Sequence, residues 1–183
     1  EALASEGYIV VAMNYVLAPK GTYPEPIHQV QEVVDALKQS SYPIDFKQLI
    51  FAGDSAGAHI VEQYALKQTN SEFRKAAQMT EDPEISIKGL LIYSGVHSIK
   101  DMVQTNTRAL DFFAGQMLWS YTKDKQWVNI EVAHLNDSAA WVTDAFPPFY
   151  ITDGNTNSFE VAAKYFALVG KSNNVYVQQR YFD

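Results

Sequence analysis

The stretch from Leu49 to Ile60, Leu-Ile-Phe-Ala-Gly-Asp-Ser-Ala-Gly-Ala-His-Ile, constrains this chain more than any other. An apolar run breaks at a pentapeptide of small residues and an amphipathic segment follows, which predicts a strand, a sharp turn and a helix. The pentapeptide Gly53-Asp54-Ser55-Ala56-Gly57 fits G-x-S-x-G, the nucleophile elbow, in which a serine on a strained turn exposes its hydroxyl above a sheet. Ser55 must then adopt a backbone conformation that side chains normally forbid. Gly53 and Gly57 are both expected to lack Cβ atoms because strand and helix nearly touch there. A helix that starts just after Ser55 aims free N–H groups at the reacting centre, and the Ala56 N–H is the expected oxyanion donor. The competing possibility is a structural turn that happens to hold a serine, against which the strand and helix flanks speak. Asp54 is expected to brace the turn rather than take part in chemistry.

The rest of the chain alternates strand and helix around this point. Residues 1–7 read as the end of a helix, and Tyr8 to Tyr15 as a near-continuous apolar strand of the kind buried on both faces of a parallel sheet. A loop with three prolines, Leu17 to Pro26, delivers the chain to a helix in which Ile27, Val30, Val33, Val34 and Leu37 keep helical spacing. Residues 48–52 form the strand into the elbow, and the following helix is expected to run toward Gln68. Thr69 to Glu84 is polar, with some helical character. Ile87 to Gly95 is a buried strand that ends in a small-residue turn.

Residues 96–146 then run without a strand signal but with Phe112, Phe113, Trp119, Tyr121, Trp127 and Trp141. Ordinary connections take about 4–6 residues, so this segment is expected to be a helical insertion or lid within a single domain of residues 1–183. After Pro147-Pro148 come a strand at 149–152, a polar loop at 153–158, and an amphipathic helix at 159–170 with Val161, Tyr165, Phe166 and Leu168 as apolar members. A last strand opens at Val175. This alternation predicts an α/β fold, a doubly wound and mostly parallel sheet, with ligands bound beyond the carboxyl ends of the strands. Ser55, Ser94 and the loop from Asp153 to Asn157 all fall at that edge.

At this point the chain resembles the α/β-hydrolase fold, and more narrowly the carboxylesterases similar to hormone-sensitive lipase and their bacterial relatives. Tyr15-Val16-Leu17-Ala18-Pro19, followed by Tyr23-Pro24, is similar to the family's Y-R-L-A-P segment; Gly53 to His59 resembles its G-D-S-A-G-G-x elbow; Pro147 to Gly154 resembles its Pro-Pro-strand-Gly segment. Val16 departs from the usual arginine, and Ala58 from the second elbow glycine. The resemblance implies an H-G-G-G-type oxyanion loop upstream of Tyr8 and a catalytic histidine downstream of the last strand. Neither is in this chain, which therefore reads as the middle of a hydrolase, truncated at both ends and inactive by itself.

A serine hydroxyl needs an imidazole to take its proton and a carboxylate to orient that imidazole. The four histidines are weak candidates for the base. His59 lies four residues along the same helix and is expected to pack or to bond backbone. His28 and His134 read as surface or capping residues, and His97 lies closest to the catalytic edge. For the acid, the resemblance puts Asn157 at the family's aspartate position, and asparagine cannot offset an imidazolium charge. Asp153, in the same loop at the strand end, is the expected acid, with Asn157 as an orienting group, Glu160, Asp144 or a group elsewhere as alternatives and a turn role as the structural explanation of Asp-Gly.

Composition narrows the partners. A net charge of −7 with scattered Lys and Arg excludes the basic stripe of a nucleic-acid binder. The absence of cysteine excludes disulfides and thiolate sites and leaves the compartment open. No apolar run approaches the roughly 20 residues of a membrane span. No metal-ligand spacing or phosphate-cradling loop occurs, so no metal or cofactor is expected. The partner is then a small-molecule ester, cleaved through an acyl-enzyme on Ser55, and a homo-oligomer is left open. A serine peptidase or amidase on the same fold, and a non-catalytic binding protein on a hydrolase scaffold, are the alternatives.

Overall fold

Four of the five expected strands pair in one sheet. The computed structural model describes residues 2–100, 102, 108–127, 131–154 and 158–182. Strands β1 (Leu49–Asp54), β2 (Ile87–Tyr93), β3 (Phe149–Gly154) and β4 (Val177–Phe182) lie side by side in that order, every pair parallel. Parallel neighbours need crossover connections, and helices supply them. In chain order the helices among the described residues are α1 (Ala2–Ser5) and α2 (Glu25–Lys38) before β1, then the connecting α3 (Ala56–Thr69), α4 (Ser71–Ala77), α5 (Arg108–Thr122), α6 (Glu131–Leu135) and α7 (Glu160–Ser172), with a 3-10 turn at Ser138–Trp141.

The main core gathers Ile27, Val30 and Val34 from α2, Tyr64 and Leu66 from α3, Leu90 and Ile92 from β2, Phe149 and Ile151 from β3, and Phe166 from α7. Full burial of side chains of this size contributes about 1.5–3 kcal/mol each. Helix α2 opens on Pro24 with Pro26 in its first turn, where the missing N–H costs nothing, and it turns Pro26, Ile27, Val30 and Val34 inward. Helix α3 is buried from Ala58 through Lys67 without a break, so it forms the centre of the molecule rather than one of its faces.

Two expectations are corrected. Tyr8 to Tyr15 forms no ladder, and Tyr8, Ile9, Val10 and Val11 are exposed, while Met13 and Tyr15 pack against the core. A strand is stable only beside a partner, and among the described residues none pairs with this segment or with the outer edge of β1. On α7, Val161, Tyr165 and Leu168 face solvent, and burial falls instead to Ala163, Phe166, Ala167 and Gly170. Close approach explains it. A Cβ at Gly170 would lie 2.7 Å from Phe149 Cε1, so α7 meets the sheet through its smallest residues and one ring. Strand β3 also runs two residues further than expected, which brings Asp153 and Gly154 into the sheet.

Candidate active site

Ser55 caps α3 with φ 55° and ψ −117°, a positive-φ conformation that costs a non-glycine residue energy and persists only where its surroundings enforce it. Three backbone bonds enforce it here. The Ser55 N–H donates to the Tyr93 carbonyl at 2.9 Å, and its own carbonyl accepts from the N–H groups of Ala58 and His59 at 3.1 and 3.3 Å. Asp54, Ser55 and Ala56 are all exposed at the junction. The two elbow glycines differ in role. A Cβ on Gly53 would lie 2.3 Å from the Gly57 carbonyl, an impossible overlap, whereas a Cβ on Gly57 would meet nothing within 4 Å. The Gly57 backbone thus fills the space a Cβ at Gly53 would need, and of the two only Gly53 is sterically obligatory. This corrects the expectation for the pair.

The strand register sets the rest of the edge. Asp54 pairs with Tyr93, Tyr93 with Thr152 and Thr152 with Arg180. One step beyond, Ser55, Ser94, Asp153 and Tyr181 form the next row across the four strands. Ser94 continues the pattern of Ser55, with its N–H donating to the Thr152 carbonyl at 2.9 Å and a positive φ of 45°. Asp153 is 3% exposed; its Oδ1 accepts from the Gly154 N–H at 2.7 Å, and its buried Oδ2 has no partner among the described residues. Gly154, at φ 138°, is required, because a Cβ would lie 2.1 Å from the Phe182 carbonyl oxygen. The Tyr181 hydroxyl is likewise buried without a partner among the described residues, and burial first, then the charges of Glu160 and Asp153, pushes its ionisation above the ordinary tyrosine range. Asn157 lies outside the described residues. Asp144 is exposed, and Glu160, in the first turn of α7, is paired with Lys164.

Two of the four histidines are bound into the fold and two are exposed. His59 is buried, with Nδ1 2.8 Å from the Val96 carbonyl and Nε2 2.8 Å from Asn136 Oδ1. His97 is also buried, with Nδ1 2.8 Å from Glu62 Oε1 and its ring stacked at 4.8 Å on Phe166. His28 is exposed on α2, and His134 is exposed beside Trp141. The face of α3 carrying His59, Glu62 and Gln63 thus forms a polar seam under the site, where Gln63 Nε2 donates to the Leu135 carbonyl and Ser138 Oγ at 3.1 Å each. No sequence signal announced this seam, because its partners come from positions 35 to 77 residues apart. Ser94 did carry one, a small-residue turn at the end of a strand.

Among the described residues no cluster of three or more His, Cys, Asp or Glu side chains could hold a metal ion, and no helix is long and apolar enough to cross a membrane. The BD-FAE family model matches residues 1–164. The chain is 26% identical over 163 residues to the "Probable carboxylic ester hydrolase LipM" of Mycobacterium tuberculosis, which covers 85% of this chain and 35% of that protein. Among solved structures it is similar to the inhibited Esterase B of Lactobacillus rhamnosis, with a TM-score of 0.82 at 21% identity over 98% of this chain and 57% of that one. A lipase/esterase of Lactobacillus plantarum gives a TM-score of 0.69 at 20% identity over 92% of this chain and 62% of that one. At such identities the structures establish the fold, that of α/β-hydrolase esterases. The chain spans about a third of the curated relative and just over half of the solved ones.

Proposed function

The chain belongs to the BD-FAE family, and on that premise we propose that it carries the nucleophile, the first oxyanion donor and the acid of a serine carboxylester hydrolase. The observation that carries this reading is the backbone of Ser55, held at φ 55° at an exposed strand-to-helix junction. In the proposed reaction the Ser55 Oγ attacks the ester carbonyl carbon, and its proton passes to a base. The carbonyl oxygen takes up negative charge facing the Ala56 N–H at the start of α3, where the helix dipole favours an anion. Collapse of the tetrahedral intermediate expels the alcohol, which takes the proton back from the base, and leaves an acyl-Ser55. Water then attacks the acyl carbon by the same route, releasing the carboxylic acid and restoring the hydroxyl.

The base is a histidine from outside these 183 residues, because the four present are bound into the fold or lie on its surface. The orphaned, buried Oδ2 of Asp153 supports Asp153 as the acid. It lies two strand positions from Ser55 in the same row, about 10 Å at the backbone, which leaves room for an imidazole between them. By itself the 183-residue chain should then bind esters without turning them over. The described helices α5 and α6 of the segment 96–146 would serve as a lid; residues 101, 103–107 and 128–130 of that segment lie outside the described residues.

The test is made on the whole protein that contains this chain. A fluorophosphonate probe should label Ser55, and p-nitrophenyl acetate and butyrate should be hydrolysed. This choice of probe is supported by the relative Esterase B, solved with a tributyrin phosphonate as inhibitor. Ser55→Ala should abolish both labelling and turnover; persistent turnover in that variant overturns the proposal. Asp153→Asn should lower kcat by 10²–10⁴-fold while leaving KM within a few-fold, the scale of a misoriented imidazole. A loss below ten-fold would move the acid to another residue. A wild-type protein inert to both probe and esters would favour the binding-protein reading.

A further inference from the structure

Both ring nitrogens of His59 face oxygens, although the residue is only 5% exposed. The Val96 carbonyl, 2.8 Å from Nδ1, can only accept, so Nδ1 carries a proton. Asn136 Oδ1 lies 2.8 Å from Nε2, and the amide is held in that orientation because its Nδ2 donates to the Val132 carbonyl at 2.8 Å. Turned over, it would press Oδ1 against that carbonyl oxygen. Nε2 therefore faces an acceptor as well, and a neutral imidazole, with one N–H, cannot serve both. His97 shows the opposite pattern. Its Nδ1 meets Glu62 Oε1 at 2.8 Å, but its buried Nε2 has no partner among the described residues, so a second proton there would be a charged donor without an acceptor. Glu62, fully buried one turn beyond His59 on α3, needs a cation nearby, and His59 is placed to supply it. The other titratable group beside this pair is Asp137, next to Asn136, whose ionisation burial pushes up against the pull of Lys100 and His134.

We propose that His59 is a positioning residue, a buried imidazolium that ties the elbow helix to Val96 and Asn136 and lends its charge to the oxyanion formed at Ser55. The inference rests on the proposed hydrolase activity and adds a residue to it. His59 lies in the first turn of α3, where its main-chain N–H donates to the Ser55 carbonyl at 3.3 Å. A cation in that turn opposes the helix dipole, so the position is costly for charge unless an anion forms beside it. The proposed reaction forms one, on the carbonyl oxygen facing the Ala56 N–H. Four residues span about 6 Å of helix, and at an effective dielectric near 20 a unit charge about 6–10 Å away is worth about 10-fold to 100-fold in rate. With both nitrogens protonated His59 has no lone pair to offer, so it cannot take the serine proton itself.

The experiment uses the whole protein with nitrogen-15-labelled histidine. At about pH 7.5, where an ordinary imidazole is mostly neutral, NMR should show both His59 ring nitrogens protonated. One bare nitrogen overturns the inference. Asn136→Leu removes only the acceptor at Nε2 and should convert that signal alone to a single N–H, which also identifies it; a spectrum unchanged in this variant overturns the inference too. His59→Gln can still donate to one oxygen but carries no charge. Its kcat for p-nitrophenyl butyrate should fall about 10-fold to 100-fold with KM within a few-fold, while complete fluorophosphonate labelling at Ser55 reports an intact elbow. A loss below ten-fold overturns the role given to the charge, and if His59→Gln fails to fold, the spectra of wild type and Asn136→Leu decide. Ser55→Ala, run alongside, separates the two levels. If it abolishes turnover while His59→Gln leaves kcat unchanged, the hydrolase stands and this inference falls; if turnover survives Ser55→Ala, both fall.

Discussion

Helices α3 and α7 both follow a strand of the same sheet, yet they are buried in opposite ways. Helix α3 carries His59, Glu62, Gln63 and Lys67 and is buried from Ala58 to Lys67. Helix α7 is the more apolar by sequence and leaves Val161, Tyr165 and Leu168 in solvent. The helix after the elbow sits at the centre because α2, α4 and the 3-10 turn close over it, whereas α7 packs mainly on β3, β4 and that same turn. Burial here follows position in the fold, and a central helix can hold polar side chains only because each finds a partner. Glu62 meets His97, Gln63 meets Ser138, His59 meets Asn136, and Lys67 donates to Gln31 Oε1 at 2.7 Å with its ammonium 4.8 Å from the Tyr64 ring.

Breaking the polar seam should have the largest effect. His97→Ala leaves the Glu62 carboxyl buried without its partner and removes the stack on Phe166; about 3–5 kcal/mol of unfolding free energy should be lost in urea titration. Adding Glu62→Met in that background should recover part of the loss, since the orphaned acid is then gone. A His97→Ala variant within 1 kcal/mol of wild type would mean that the seam is not what allows α3 to sit at the centre.

A smaller and pH-dependent effect belongs to Lys67. Burial first, and then the Arg74 charge, lowers its ionisation below the usual lysine range, against the opposing pull of Asp82, Asp35 and Glu81. The folded state then holds this proton less tightly than the unfolded chain, so stability rises with pH from that depressed value toward about 10.4. Above about pH 10 the trend reverses, because burial pushes the Tyr64 and Tyr23 phenols up and only the unfolded chain ionises them readily. Lys67→Met should flatten the rising limb and leave the falling one. Thermal melts at steps from pH 7 to pH 11 would reveal it, and an unchanged rising limb would refute the assignment.

On α7 the smallest change is expected. Leu168→Ser, on a face already in water, should alter stability by no more than about 0.5 kcal/mol. A loss above 1.5 kcal/mol would show that this stripe is covered in the whole protein, and the contrast between the two helices would then narrow.

Much of the fold was legible in the residues. The breaks between apolar runs and glycine or proline placed four strands and their connecting helices within a few residues, because local patterning reports which segments can be buried. The elbow was legible for a stronger reason. Gly53 and Ser55 serve a constraint satisfied inside five residues, so the pattern and its geometry travel together. The acid was only partly legible. Asp153 could be named from Asp-Gly at a strand end, but that its Oδ2 is buried without a partner among the described residues could not. Tyr181 and the Glu62–His97 pair carried no local signal at all.

By itself, then, the sequence determined a parallel α/β architecture, the strained serine at its carboxyl edge and the absence of thiol chemistry, since each rests on the conformational limits or chemistry of single residues and short runs. Tertiary structure decided which histidines are bound away, that Tyr8 to Tyr15 pairs with no strand among the described residues, which face of α7 meets the sheet, and that Ser94 stands between Ser55 and Asp153. Those outcomes depend on strand register and on contacts between distant segments, and no single stretch of chain encodes a register.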